Sequence, residues 1–323
     1  MANVKEYTDV PTQIAKLRGR EMVVDEGEAQ QWLSHVNYYR LSGYWYIYRR
    51  KAADGTRLDE FEPGTTFHDI TRLYEFDRKL RSLTHEALGR VEIALRRGLS
   101  DHLGAIDPLA YLLPEFFRSE LDHADWVATA ADRVSRAARS SRFIRHQKAA
   151  YDGIPIWVLS EVLDFRDLSL LYAGLEAPDQ WNVARSLGIN IDLQAIKKPK
   201  DREKADTKHP LAAWIHQLSI VRNFSAHHAR LWNDKTFVPA STIALRTIPQ
   251  LESLPHAGRA GNQSSRLYGA LLVIAHILST ISPGSSWASR VRQLIVGELE
   301  EIPMRSAQEM GFPEDWKQQE LWS

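Results

Sequence analysis

In a chain of 323 residues, the side chains best equipped for chemistry crowd into one run of twelve: Arg222-Asn223-Phe224-Ser225-Ala226-His227-His228-Ala229-Arg230-Leu231-Trp232-Asn233. Histidine titrates near neutrality and can take or give a proton. An arginine fork can grip two phosphate oxygens and stabilise the charge that builds on them. RNA cleavage by a 2′-hydroxyl attacking its own phosphodiester needs these groups. A base takes the hydroxyl proton, an acid serves the leaving 5′-oxygen, and a cation holds the phosphate. Arg222 suits the last role and His227 the proton transfers. Asn223 can orient His227 or hold the phosphate. The scheme calls for no metal and no cofactor. The alternative is a helix terminus where Arg and His satisfy carbonyls and oppose the dipole. Spacing alone decides little. Arg-x4-His occurs at Arg97–His102, Arg118–His123 and Arg222–His227, and only in the last does Asn follow the Arg.

A helix from about Pro210 to Ala229 must carry this run, with Leu211, Ile215, Leu218 and Val221 as its buried side. At about 100° per residue, Asn223, His227 and Arg230 then share a face, while Arg222 lies well round from His227. Bringing the pair to one phosphate requires a distorted helix end, a long reach or a second protomer. The remaining pattern is also helical. One long helix is expected from Phe67 to about Leu103, with Thr65 or Thr66 as N-cap and Gly104 as stop. Others are expected over Glu120–Tyr151, after Pro155, over Ser265–Ser282 and over Trp287–Glu301. Period-2 strands are scarce apart from a hairpin around Asp54-Gly55. Ile196–Lys208 reads as a charged loop.

Lys and Arg number 41 against 41 Asp and Glu, so a uniformly basic nucleic-acid coat is excluded and any attraction to RNA needs a local patch. Cysteine is absent, which removes disulfide scaffolds, thiolate zinc sites and cysteine nucleophiles and fits a reducing cytoplasm. No secretory signal is visible, and the longest apolar stretch, Ala270–Ile281, is too short to span a bilayer. Rossmann, Walker, zincin and nucleophile-elbow motifs are all missing.

Arg133, Arg136, Arg139, Arg142 and Arg145 recur every three residues, followed by Lys148, with no acid between. On one helix they would form a basic ridge suited to an RNA backbone. The alternative is a solvated face paired with acids elsewhere. Tyr38, Tyr39 and Arg40 belong to an aromatic cluster that reads first as a mini-core docking the N-terminal segment. Its other reading is a base-stacking surface. Glu92 and Arg96 are spaced for an ion pair within a helix. They are read as structural, with positioning of Arg222 or His227 as the alternative. Glu161, inside an apolar helix, is either solvent-facing or a partner for a basic residue. Arg230 completes the polar face.

The run from Arg222 to Asn233 resembles the Arg-Asn-x-x-Ala-His-His-x-Arg-Leu-Trp-Asn motif of the Abi-like (abortive infection AbiD/AbiF) family. Three further segments resemble that family's motifs in order: His35–Tyr44, Val91–Arg96 and Pro155–Glu161. The resemblance implies a place among HEPN proteins, many of them metal-independent ribonucleases with composite sites across a dimer. It implies an all-α fold, a HEPN-like helical bundle over residues 63–283. An N-terminal helical and aromatic extension over 1–62 would precede it, and a C-terminal helix with an acidic tail over 284–323 would follow. It implies an anti-phage, toxin-like effector working as a homodimer on RNA, some relatives associating with a small non-coding RNA. Arg222 would then stabilise the phosphate, Asn223 orient, and His227 or His228 transfer protons. The alternatives are a non-catalytic RNA-binding protein and a protein-interaction module. No membrane contact is expected.

Overall fold

The computed structural model describes residues 6–233, 237–238, 240–254 and 266–323. The described residues are mainly helical, with one small two-stranded sheet, and form two compact units, one of residues 6–80 with 293–307 and one of 81–292 with 308–323.

The first unit opens with α1 (Val10–Gly19), α2 (Glu26–His35) and α3 (Tyr38–Trp45). Each starts at a side-chain cap that satisfies an otherwise free amide: Asp9 takes Thr12 N at 2.9 Å, Asp25 takes Glu28 N at 2.8 Å and Asn37 takes Tyr39 N at 2.7 Å. The hairpin expected at Asp54-Gly55 is present, as antiparallel β1 (Arg49–Lys51) and β2 (Arg57–Phe61). Gly55 turns at φ 84°, and Asp54 Oδ1 accepts Thr56 N. Next comes α4 (Phe67–Ile106), whose N-cap is Thr66: its hydroxyl accepts Asp69 N at 3.0 Å and donates to the Asp69 carboxylate. The helix runs past Gly104. That glycine serves packing, since an added Cβ would sit 3.3 Å from the Trp157 ring.

In the second unit α4 is followed by α5 (His123–Ala137), α6 (Arg142–Ala150) and the single turn α7 (Ile156–Leu159). Then come α8 (Phe165–Gly174), α9 (Ala177–Ser186), α10 (Pro199–Thr207), α11 (Leu211–Ala226), α12 (Leu267–Ile281) and α13 (Trp287–Leu294). α11 packs on α8 and on α12, and α5 packs on α8. Every residue of α12 from Leu267 to Leu278 is buried, so this helix is apolar all round, as a core helix should be. Near the C-terminus Phe312, Trp316 and Trp322 pack ring against ring.

Three expectations need correction. The single helix over 120–151 is two, because Ser141 caps a fresh start by accepting Ile144 N at 3.3 Å. The segment after Pro155 is also split: Asp164 and Asp167 form a capping box that begins α8 anew. The charged stretch 196–208 is not a loop but holds α10, started by Pro199 and burying only Ala205. With one buried side chain it shows no periodicity for a sequence reading to detect. Ser265, the expected start of α12, lies outside the described residues.

No helix among the described residues is long and apolar enough to cross a membrane.

Candidate functional site

Arg222 lies in the last turn of α11 and is held from below by α4. Glu92 Oε2 stands 3.9 Å from Arg222 Nε, and the same carboxylate pairs with Arg96 one turn along α4. Arg96 also donates to Ser160 O at 2.6 Å and Leu163 O at 2.9 Å, so one guanidinium ties α4 to the turn between α7 and α8. The Glu92–Arg96 pair thus has the structural place read for it, and Glu92 also comes within 3.9 Å of Arg222. A lysine cannot serve two carbonyls and a carboxylate in this fork geometry. Arg96→Lys is expected to cost about 1–2 kcal/mol of stability in urea unfolding.

Arg222, Glu92, Arg96 and Glu161 line one open cavity of about 250 Å³ together with His85, Gly89 and Ile93. Glu161 is solvent-facing there, not a buried partner. His85 was not singled out from the sequence. His85, Gly89, Glu92 and Arg96 fall at i, i+4, i+7 and i+11, one stripe along α4 bordering the apolar one.

α11 ends sooner than its sequence pattern suggested. His227 is its C-cap, and His228 turns left-handed at φ 57°. Ala229 N closes back to Phe224 O at 3.0 Å, the six-to-one bond of a Schellman ending. Leu231 and Trp232, both fully buried, then anchor the departing chain. Arg230 therefore lies beyond the helix, and the shared face expected for Asn223, His227 and Arg230 does not extend that far. Asn223 accepts a hydrogen bond from Arg222 Nη1 at 3.4 Å, so it meets the arginine. His227 and His228 are exposed and are not among the residues lining the Arg222 cavity. A left-handed residue is most easily glycine. His228→Gly should leave the ending intact and change stability by less than about 1 kcal/mol. Activity retained in that variant, beside its loss in His227→Ala, would single out His227.

The arginine stripe is not one ridge. Arg133 is engaged with Asp164 and, at 2.8 Å, with Asp167. Arg145 turns back to the carbonyls of Ala138 and Arg139 at 3.0 and 3.2 Å, closing the end of α5. Arg136 sits on α5, while Arg142 and Lys148 sit on α6 and Arg139 in the turn between, all exposed. The aromatic cluster is a mini-core, as its first reading had it. Tyr38 packs edge-on to Trp45 at 4.8 Å, and Tyr44 lies 5.2 Å from Tyr74 with its hydroxyl donating to Asp77 at 2.6 Å. Arg40 covers the Tyr74 ring at 5.8 Å. Burial pushes the Tyr38 hydroxyl's pKa up. Tyr39 alone of the three candidates points outward, 82% exposed.

Among the described residues no group of three or more His, Asp or Glu side chains could hold a metal ion. A family model described as Abi-like protein matches residues 31–233, more than half of the chain. No curated protein and no solved structure matches.

Proposed function

We propose a function from one premise: this chain belongs to the Abi-like protein family. The family's description points to abortive infection. Within that role we assign the protein as a HEPN-type effector that cleaves RNA as a homodimer. The observation that carries the reading is the setting of Arg222, a half-buried cation aligned by Glu92 at the rim of an open cavity, five residues before an exposed histidine at the helix end.

Arg222 would grip the non-bridging oxygens of the scissile phosphate, with Asn223 beside it fixing the guanidinium. A histidine takes the 2′-hydroxyl proton, the 2′-oxygen forms its bond to phosphorus, and the bond to the 5′-oxygen breaks. A second histidine returns a proton to that oxygen. The products are a 2′,3′-cyclic phosphate and a 5′-hydroxyl. Since His227 does not line the Arg222 cavity, a second copy of the chain supplies the missing group in this scheme.

The test is incubation of purified protein with cellular RNA in EDTA, followed by end-group analysis. Cyclic phosphate and 5′-hydroxyl ends are expected. Products with 5′-phosphates, or no products from a protein that is toxic in its host, would overturn the assignment. The exposed Arg136, Arg139, Arg142 and Lys148 favour a second reading, in which the protein holds a small RNA without cutting it. Salt-dependent binding with intact RNA would mark that outcome.

A further inference from the structure

His85 is the one histidine among the residues that line the Arg222 cavity. It stands exposed on α4, and among the described residues neither ring nitrogen is engaged. Other histidines of the same unit are tied down: His102 to Asp179 at 2.8 Å, His123 to Tyr111 O at 2.8 Å and His276 to Gly188 O at 3.0 Å. Those rings have a nitrogen committed to a partner, whereas His85 keeps both for a ligand.

The cavity gives that ligand a place. His85 and Glu92 are seven residues apart on α4, about 10 Å along the axis. Glu92 marks where Arg222 arrives, its carboxylate 3.9 Å from Arg222 Nε. Between them lies Gly89, where an added Cβ would meet nothing within 4 Å. A glycine inside a helix costs about 0.5–1 kcal/mol against alanine, and among the described residues no neighbour crowds this one. The bare backbone leaves room for a phosphate and its ribose between the histidine and the arginine. Ile93, 67% exposed, adds an apolar wall beside them.

Charge selects the direction of proton transfer. In the cavity wall Arg222 and Arg96 are balanced by Glu92 and Glu161. A neutral His85, as a base must be, leaves that balance unchanged. A protonated His85 leaves the wall net positive, matching the single negative charge of a phosphodiester. We propose that His85 is a catalytic residue of the Arg222 site, the general acid that protonates the leaving 5′-oxygen. This role rests on the RNA-cleaving reading. The 2′-oxygen, its proton taken by a helix-end histidine, bonds to phosphorus. The bond from phosphorus to the 5′-oxygen breaks, and its electron pair stays with that oxygen. The proton from the His85 imidazolium joins it there, leaving a 5′-hydroxyl, a 2′,3′-cyclic phosphate and a neutral ring.

The experiment uses the full chain and an RNA dodecamer spanning a site that the protein cuts in cellular RNA. One copy carries the natural 5′-oxygen at the scissile bond, the other a sulfur in its place. A thiol has a pKa of about 8.5, so the sulfur leaves without a general acid. On the oxygen substrate His85→Ala is expected to lose about 10²–10⁴-fold in kcat, with its thermal midpoint unchanged. On the sulfur substrate it should come within about tenfold of the wild type, while Arg222→Ala stays low on both. Equal loss on both substrates would mark a structural part and overturn the proposal. Rescue of His227→Ala by sulfur in place of His85→Ala would give the acid role to His227 and overturn it too. If Arg222→Ala fails on the oxygen substrate and His85→Ala does not, His85 has no role in catalysis and the cleavage reading stands. If neither variant fails, or the wild type cuts nothing, the cleavage reading falls and the role of His85 with it.

Discussion

Arg222→Ala is expected to lower RNA cleavage by about 10²–10³-fold, the usual cost of removing one donor that stabilises transition-state charge. His227→Ala should lose about 10²–10⁴-fold, the span of a general acid or base. The double variant should be little worse than the poorer single one, because groups acting on one transition state are not additive. Arg222→Lys separates charge from geometry: it keeps the cation but loses the fork, and should recover only part of the activity. Neither position supports the core. Arg222 retains 30% of its side-chain surface and His227 is exposed. Thermal unfolding should therefore match the wild type. The matching observation in the host is loss of toxicity at equal expression. Wild-type toxicity and cleavage in both single variants would remove Arg222 and His227 from the chemistry.

Legibility from the sequence followed burial. α12 could be read because its apolar run is continuous, and the long helix from Phe67 because one side chain in three or four faces inward. The hairpin was legible from Asp54-Gly55, whose types suit only a few turns. α10 was not, since it buries a single alanine and no period can form from one point. The breaks at Ser141 and Asp164 were missed for another reason. They depend on side-chain caps competing with helix continuation, and the competition is decided by packing elsewhere. At the candidate site, Arg222 and Asn223 stand out by residue type. His85 was missed because its stripe borders an apolar one that drew the eye. The helix end at His228 needs a left-handed histidine, a conformation open to several residue types and fixed only by the anchoring of Leu231 and Trp232.

Acid should destabilise the second unit well before its carboxylates titrate, and His209 supplies the largest single share. Burial lowers its pKa from 6.5 to about 4. Between those values the unfolded chain binds a proton that the folded chain refuses, so stability falls as pH falls. The contribution is fully present above about pH 6.5, fades through the window and is gone below about pH 4. Over the whole window it amounts to about 3 kcal/mol, at about 1.4 kcal/mol per unit. His276 and His216 are also lowered by burial, and act in the same direction. Urea midpoints for the wild type should drop steeply between pH 6.5 and pH 4.5. His209→Gln cannot be protonated there. It should start less stable at pH 7.5, having lost a packed ring, and should then lose about 2–3 kcal/mol less than the wild type on going to pH 4.5. Parallel curves for the two proteins would mean that the ring is reached by solvent and charges freely. A flatter curve for His209→Gln would mean that the wild-type ring stays neutral at pH 7, held in place through Gln180 and Leu211.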